Sequence, residues 1–305
     1  MVALALRGRG WDPPAPQPAS HDNSSGKPGR QEEILIQEVF RIGSFAISPF
    51  GLLMALAFLS AYAQLRWGLQ QAGAGDVEDA GAIVFAGGVG GVLGSKIYYA
   101  ILYRDPSLLL ERYGLVWYGG LILGTLAVIL VIYRRKLPPW KAADASVVAM
   151  AIGYAVGRVG CFLVGDDYGV PTTVPWGVRF PVGLPPSTAG NLRSIFGVEV
   201  PATVPNSELL AVHPTQIYEV VACVLIWILG VWWLRRSPKP GVVTFAIGSL
   251  LAMERFLVEF LRAKDDRFFG ALTLAQVISV AVLGMIMLLW MRRRRSDGAS
   301  SAEIA

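Results

Sequence analysis

Five ionisable side chains, Lys96, Arg158, Glu219, Arg255 and Glu259, interrupt long apolar runs of a 305-residue chain. Each ionised group at the centre of a bilayer costs at least about 2.5 to 3.5 kcal/mol, so five of them require a reason. Arg158 and Arg255 carry planar guanidinium forks that suit bidentate capture of a phosphate, and Lys96 adds a third positive charge. Glu219 and Glu259 have the sign and reach to hold the arginines in place. Arg255, Glu259 and Arg262 follow one another at helical spacing, so all three share one helix face. Buried ion pairs stitching helices together would use the same residue types. Such pairs contribute little net stability, because desolvation offsets the Coulombic gain.

The elements able to position these groups follow from composition. With 54% hydrophobic and 16% charged residues and a mean hydropathy of +0.50, the chain is too apolar for a soluble protein of its length. Its apolar residues gather in blocks long enough to cross a bilayer. Seven spans are predicted, over residues 45–65, 80–103, 113–133, 142–164, 214–234, 242–261 and 272–291. None alternates polar and apolar residues as a barrel strand does. The predicted fold class is therefore an all-α polytopic membrane protein with seven transmembrane helices. Basic clusters at Arg134, Arg135, Lys136 and Lys141, at Arg235, Arg236 and Lys239, and at Arg292 to Arg295 fall on one side of such a frame. The positive-inside rule makes that side cytoplasmic. The N-terminus and residues 165–213 then lie outside, and residues 292–305 form a cytoplasmic tail. The net charge of +5 reads as this topogenic signal with some attraction to anionic lipid, and no nucleic-acid partner is expected.

On that frame the polar groups share a depth. Lys96, Tyr118, Arg158, Glu219 and Arg255 each lie about five to seven residues from the outer end of their span, or roughly 7 to 11 Å beneath the outer boundary at about 1.5 Å per residue. Charges retained for packing alone would not be expected to form one layer under the outer headgroups. Gly87, Gly88, Gly90, Gly91 and Gly94 in the second span, and Gly119, Gly120 and Gly124 in the third, let backbones approach closely or admit a lipid chain between them. Tyr98, Tyr99, Trp117, Trp176 and Tyr218 gather where an aromatic belt is expected.

The first 33 residues are of a different kind. Residues 8–27 are rich in Pro, Ser, Gly and Asn and cannot bury enough apolar surface to fold, so a disordered tail is expected there, ahead of a seven-helix transmembrane domain over 34–291. Residues 1–6 are too short for the apolar core of a cleavable signal. The two cysteines, Cys161 and Cys223, read as small buried apolar residues. With only His21 and His213 as histidines, no metal site is expected. Residues 165–213 carry seven prolines and are expected to form an irregular extracytoplasmic cap near the mouth of the site. No paired broken helices suggest a transporter.

Four motifs in order carry a resemblance. Gly157-Arg158-Val159-Gly160-Cys161-Phe162 with Gly165-Asp166, His213-Pro214-Thr215-Gln216-Ile217-Tyr218-Glu219, Tyr118-Gly119-Gly120-Leu121-Ile122, and Arg255-Phe256-Leu257-Val258-Glu259-Phe260 resemble the prolipoprotein diacylglyceryl transferase family. The segment Pro175-Trp176-Gly177-Val178-Arg179-Phe180-Pro181 adds to the match, which covers roughly residues 47–290. The resemblance implies a bacterial inner-membrane enzyme that moves the diacylglyceryl group of phosphatidylglycerol onto the lipobox cysteine of a prolipoprotein and releases glycerol 1-phosphate, without a cofactor. Displacement at a glycerol carbon needs cations at the leaving phosphate and an acceptor for the thiol proton.

By that resemblance Arg158 and Arg255 bind the phosphate and Glu219 and Glu259 orient them, with Lys96, Tyr98, Gly119 and Gly120 completing the substrate site. Three positions depart from the family's usual form. Tyr118 stands where many members have His, Cys161 where many have Asn, and Phe50 where Tyr is frequent. Tyr118, Asp166 and His213 are therefore rival acceptors of the thiol proton, alongside a thiol that is already partly ionised. A non-catalytic relative that binds an anionic phospholipid or a lipopeptide is the alternative reading.

Overall fold

The computed structural model describes residues 40–42, 45–110, 116–236, 238–264, 267–269 and 272–302. The expected disordered tail, residues 1–33, lies outside the described residues. Eight α-helices are described: α1 (Pro49–Ala72), α2 (Val77–Tyr103), α3 (Trp117–Arg134), α4 (Pro139–Val164), α5 (Ala189–Ser194), α6 (Thr215–Leu234), α7 (Val242–Val258) and α8 (Leu274–Ala302). Two small antiparallel pairs accompany them, β1 (Phe40–Ile42) with β2 (Phe45–Ile47), and β3 (Arg267–Phe269) with β4 (Leu272–Thr273).

Among the described residues, five helices are long and apolar enough to cross a membrane: α1, α2, α4, α6 and α8 within Leu274–Arg293. The apolar part of α3, Tyr118–Arg134, and α7 are shorter, α7 having 17 residues and so spanning about 25 Å against a hydrocarbon core of about 30 Å. A 3-10 turn at Glu259–Leu261 prolongs α7. The first span begins later than hydropathy alone implies. Residues 45–47 are strand, and the Ser48 hydroxyl accepts the Gly51 amide proton at 3.1 Å, with Pro49 at the first helical position. A side-chain cap and a proline with its fixed φ define that start better than apolarity does. At the other end α8 continues to Ala302, well past residue 291.

Packing rests on small residues, as it must where lipid removes the hydrophobic drive between helices. α2 and α3 meet backbone to backbone: a Cβ on Gly94 would run into the Gly119 carbonyl, and one on Gly119 into the Gly94 carbonyl and Tyr98. Gly90 faces Ala127 and Gly124, and Gly120 faces Ser95 and Gly91, in the same seam. Helix α1 lies along α4 by the same means, with Gly68 against Ala145, Gly153 against Ala61, and Gly160 against Leu53. The outer faces are apolar: Phe85 is 73% exposed, Leu225 61% and Ile122 58%. Exposed apolar surface of this extent around a helical bundle suits a lipid solvent.

Contacts collect the basic clusters at one end of the bundle. Arg135 on the α3 C-terminus pairs with Asp79 at the α2 N-terminus at 3.0 Å. Arg235 stacks over Trp67, and Arg293 over Trp140. At this end Asp144 of α4, itself buried, accepts from the Gly241 and Thr244 amides at 2.6 and 2.7 Å, and so caps the α7 N-terminus from a neighbouring helix. At the opposite end residues 165–213 fold around an apolar cluster of their own, Tyr168, Phe180, Leu192 and Val212, joined by Ala263.

Candidate active site

Helix α4 carries Arg158 one turn after Tyr154, so both project from one face. Both Nε and Nη2 of Arg158 donate to the Tyr154 hydroxyl, at 3.0 and 2.8 Å. Tyr154 in turn donates to Oε1 of Glu219 on α6 at 3.0 Å. Oε2 of Glu219 lies 2.8 Å from Arg158 Nε, and Arg158 Nη1 reaches Asp167 Oδ2 at 2.9 Å and the Cys161 sulfur at 3.6 Å. Glu219 is fully buried and Arg158 nearly so. Desolvation of this kind is tolerable only because each charge meets an opposite one and the Tyr154 hydroxyl bonds to both.

The second half of the cluster comes from the end of α7. Arg255 Nη2 contacts Glu259 Oε2 at 2.5 Å, the i, i+4 pair that its spacing implies. Glu259 Oε2 also lies 3.8 Å from Nε of Arg262, and Arg262 bonds the second carboxylate oxygen of Asp167. One chain of alternating charge thus runs from α6 through α4 and the start of the cap to α7. Arg158, Arg255 and Arg262 balance Asp167, Glu219 and Glu259, so an incoming phosphodiester adds one negative charge.

Two guanidinium donors of the cluster lack a hydrogen bond, Nε of Arg262, which faces Glu259, and Nη1 of Arg255, which faces the cavity. Nη1 of Arg255 is buried with no hydrogen-bond partner, and Glu219 Oε1 stands 3.9 Å away. A buried unsatisfied guanidinium nitrogen costs about 1 to 3 kcal/mol or more. Arg255 lines a cavity of about 210 Å³ between α3, α4, α7 and α8. Tyr118, Tyr154 and Glu254 share its polar wall, and Leu121, Met150, Leu251, Ile278, Val282 and Ile286 make its remainder almost wholly apolar. From Arg255 to Gly248 along α7, and from Ala275 to Ile286 along α8, the slot runs parallel to the helices for roughly 10 to 16 Å. A charged head over an apolar slot has the shape of a phospholipid.

The residues singled out in the sequence fall into three groups. Arg158, Arg255, Glu219 and Glu259 form the ion cluster, and Tyr118 lines the cavity beside Arg255. Gly119, Gly120 and Tyr98 lie in the α2–α3 seam, which is too tight to admit a lipid chain. Lys96 sits on α2, off the cavity wall. His213 lies in the cap, where Nδ1 is 3.1 Å from the Tyr218 hydroxyl, which accepts from Trp176 Nε1 at 2.7 Å. Asp166 accepts the Gln216 amide through its backbone oxygen at 2.6 Å, whereas the carboxylate that reaches the arginines is that of Asp167. Burial, then the neighbouring Asp167, pushes Asp166 up to about 6. Burial opposes ionisation of Asp167 too, but Arg262, Lys264 and Arg158 hold it well below the usual carboxylate range. Tyr154 and Asp167, which bond to the ion cluster, and Glu254, which lines the cavity, are residues that motif reading missed. Tyr154 was detectable as the residue one turn before a buried arginine.

Comparison with known proteins decides what this cluster belongs to. A family model described as prolipoprotein diacylglyceryl transferase matches residues 37–292. The chain belongs to the prolipoprotein diacylglyceryl transferase family. Among its relatives, a phosphatidylglycerol–prolipoprotein diacylglyceryl transferase of Paraburkholderia phymatum is 31% identical, covering 86% of this chain and 94% of the relative. Those of Geobacter sulfurreducens and Coxiella burnetii are 30% and 28% identical, each covering 84% of this chain and 95% of the relative. The match to the family takes in every element of the cluster, from Tyr154 on α4 to Arg262 beyond α7.

Proposed function

We propose that this protein transfers the diacylglyceryl group of phosphatidylglycerol to the lipobox cysteine thiol of prolipoproteins, releasing glycerol 1-phosphate. The observation that carries the reading is Nη1 of Arg255, buried without a hydrogen bond at the head of an apolar slot. In the reaction the thiol sulfur attacks a glycerol carbon, the bond from that carbon to the phosphate oxygen breaks, and negative charge grows on the leaving phosphate. Arg255 meets that charge directly. Arg158, whose donors are largely engaged by Tyr154, Asp167 and Cys161, adds positive potential from a fixed position. Glu219, Glu259 and Asp167 keep the guanidinium planes aimed before substrate arrives, which spares reorganisation during the reaction.

The same reading places the chain in the bacterial inner membrane, with seven crossings, the N-terminus outside and the C-terminus cytoplasmic. Helices α3 and α7 are the two short crossings, and the cluster lies under the outer leaflet, where the signal peptide of an exported prolipoprotein presents its cysteine. Residues 165–213 cap the site and supply Asp167 to it. Phosphatidylglycerol, the prolipoprotein and the bilayer are the partners.

Complementation tests the function. In a strain depleted of its own diacylglyceryl transferase, expression of this chain is expected to restore lipoprotein modification and growth. Stable membrane insertion without restored modification would leave only the reading of a non-catalytic lipid-binding relative.

A further inference from the structure

Beside Nη1 of Arg255 the same wall carries a second buried polar atom without a hydrogen bond. Glu254 is 92% buried, since its exposure is 8%, and its Oε1 has no hydrogen-bond partner. Adjacent residues of a helix do not face each other, yet both Glu254 and Arg255 line the cavity, Arg255 near the middle of the face that α7 turns to it and Glu254 at its edge. Arg255, Arg158 and Arg262 act on Glu254 from the positive side and Glu219 from the negative. Tyr118 and Tyr154 complete the polar wall, and Ser279 contributes the hydroxyl from α8, which is itself donated to the Ala275 carbonyl at 2.9 Å. A carboxylate oxygen buried beside an apolar slot without a hydrogen bond is costly. It belongs neither to the ion cluster nor to the helix seams.

Resting on the transfer reaction above, we propose that Glu254 is the group that accepts the proton of the incoming thiol. The S–H proton passes to the Glu254 carboxylate as sulfur bonds to the glycerol carbon. The bond from that carbon to phosphate oxygen breaks, and its electron pair leaves on the phosphate monoester facing Arg255. The proton then leaves Glu254 for the departing phosphate or for water. Total charge in the slot is unchanged through the step, because the negative charge lost by Glu254 appears on the leaving group. Acceptor and phosphate-binding cation stand next to each other in sequence and on one wall, so a single bound lipid and thiol engage both.

The test separates proton acceptance from packing by changing the acidity of the nucleophile. Purified full-length protein in phosphatidylglycerol vesicles is given a lipobox peptide with cysteine, or the same peptide with selenocysteine, whose selenol is already ionised at neutral pH. Glu254→Gln keeps shape and volume. It is expected to cut transfer to the cysteine peptide by about 100-fold, within the usual range for a lost general base. Transfer to the selenocysteine peptide is expected to fall less than about threefold, and Glu254→Asp to retain part of the cysteine reaction. Equal loss with both peptides, or full activity of Glu254→Gln with cysteine, would overturn the assignment. Wild type that transfers to neither peptide would instead refute the transfer reaction itself.

Discussion

Arg158 and Arg255 share a charge and differ in how much of it is already committed. Arg158 is bound on several sides by Tyr154, Glu219, Asp167 and Cys161, whereas Nη1 of Arg255 makes no hydrogen bond and only a loose 3.9 Å pairing with Glu219. Arg255→Lys is therefore expected to cut transfer at least about tenfold, roughly 1.4 kcal/mol of transition-state stabilisation, while the folded protein in the membrane is unchanged. Tyr154→Phe removes the hydroxyl that joins Arg158 to Glu219. It is expected to cost about 1 to 3 kcal/mol of stability, measured by thermal unfolding in detergent, because two charged groups lose a bond in a buried site. Asp166 gives a test by pH. Its pKa is higher folded, about 6, than the reference value near 3.9. The folded state thus binds more protons in that window, and the favourable contribution present below about pH 4 is lost as pH rises through 6. Asp166→Asn should leave stability near pH 4 little changed and raise the unfolding midpoint at pH 7. A midpoint shift of equal size at both pH values would show that its charge is not the cause. The arginines and their glutamates were legible because a charge inside an apolar run is expensive and therefore conspicuous. Tyr154 offered only its spacing, one turn before Arg158, because an aromatic inside an apolar helix otherwise looks like core. Asp167 hid beside Asp166, and only the left-handed backbone at Asp167, φ 64°, aims its carboxylate at two arginines.

Among elements, α2 and α3 carry the clearest sequence signal and the tightest seam. Gly94→Val should force the two backbones apart at Gly119 and cost about 1 to 3 kcal/mol by overpacking, or block accumulation in the membrane altogether. The same substitution at Gly91, whose added Cβ meets nothing, should cost far less, and comparison of the two accumulation levels checks the seam. The sequence allowed either close packing or a lipid chain at these glycines. Only the facing carbonyls decide for packing, and the slot that suits a lipid lies instead between α3, α4, α7 and α8. Helix boundaries were legible where apolar runs end in basic clusters. They were shifted where local chemistry intervenes, as at Ser48 and Pro49. Asp144 shows a further limit: it sits in an apolar helix, yet its role is to cap the distant α7 N-terminus, a contact that no spacing within α4 reveals. Asp144→Ala should destabilise by about 1 to 2 kcal/mol, the range for losing a helix cap, as read from its unfolding midpoint.

At the scale of the molecule, composition already implied a helical membrane protein, and the contacts agree by gathering basic clusters at one end and the buried ion chain near the other. Orientation is open to direct labelling. A cysteine at Ser207, exposed in the segment 165–213, should react with an impermeant thiol reagent in intact cells, while one at the exposed Lys239 should not. The reverse pattern would put the arginine cluster under the wrong leaflet. The extent and core of the cap could not be read from its prolines, because its cluster recruits Ala263 from beyond α7. The most direct test of the central claim is transfer by the purified full-length protein. With phosphatidylglycerol vesicles and a lipobox peptide, mass spectrometry should find the peptide heavier by one thioether-linked diacylglyceryl group, with glycerol phosphate released in equal amount, and Arg255→Lys should lower both together. An unmodified peptide, under conditions where the folded protein demonstrably binds phosphatidylglycerol, would contradict it.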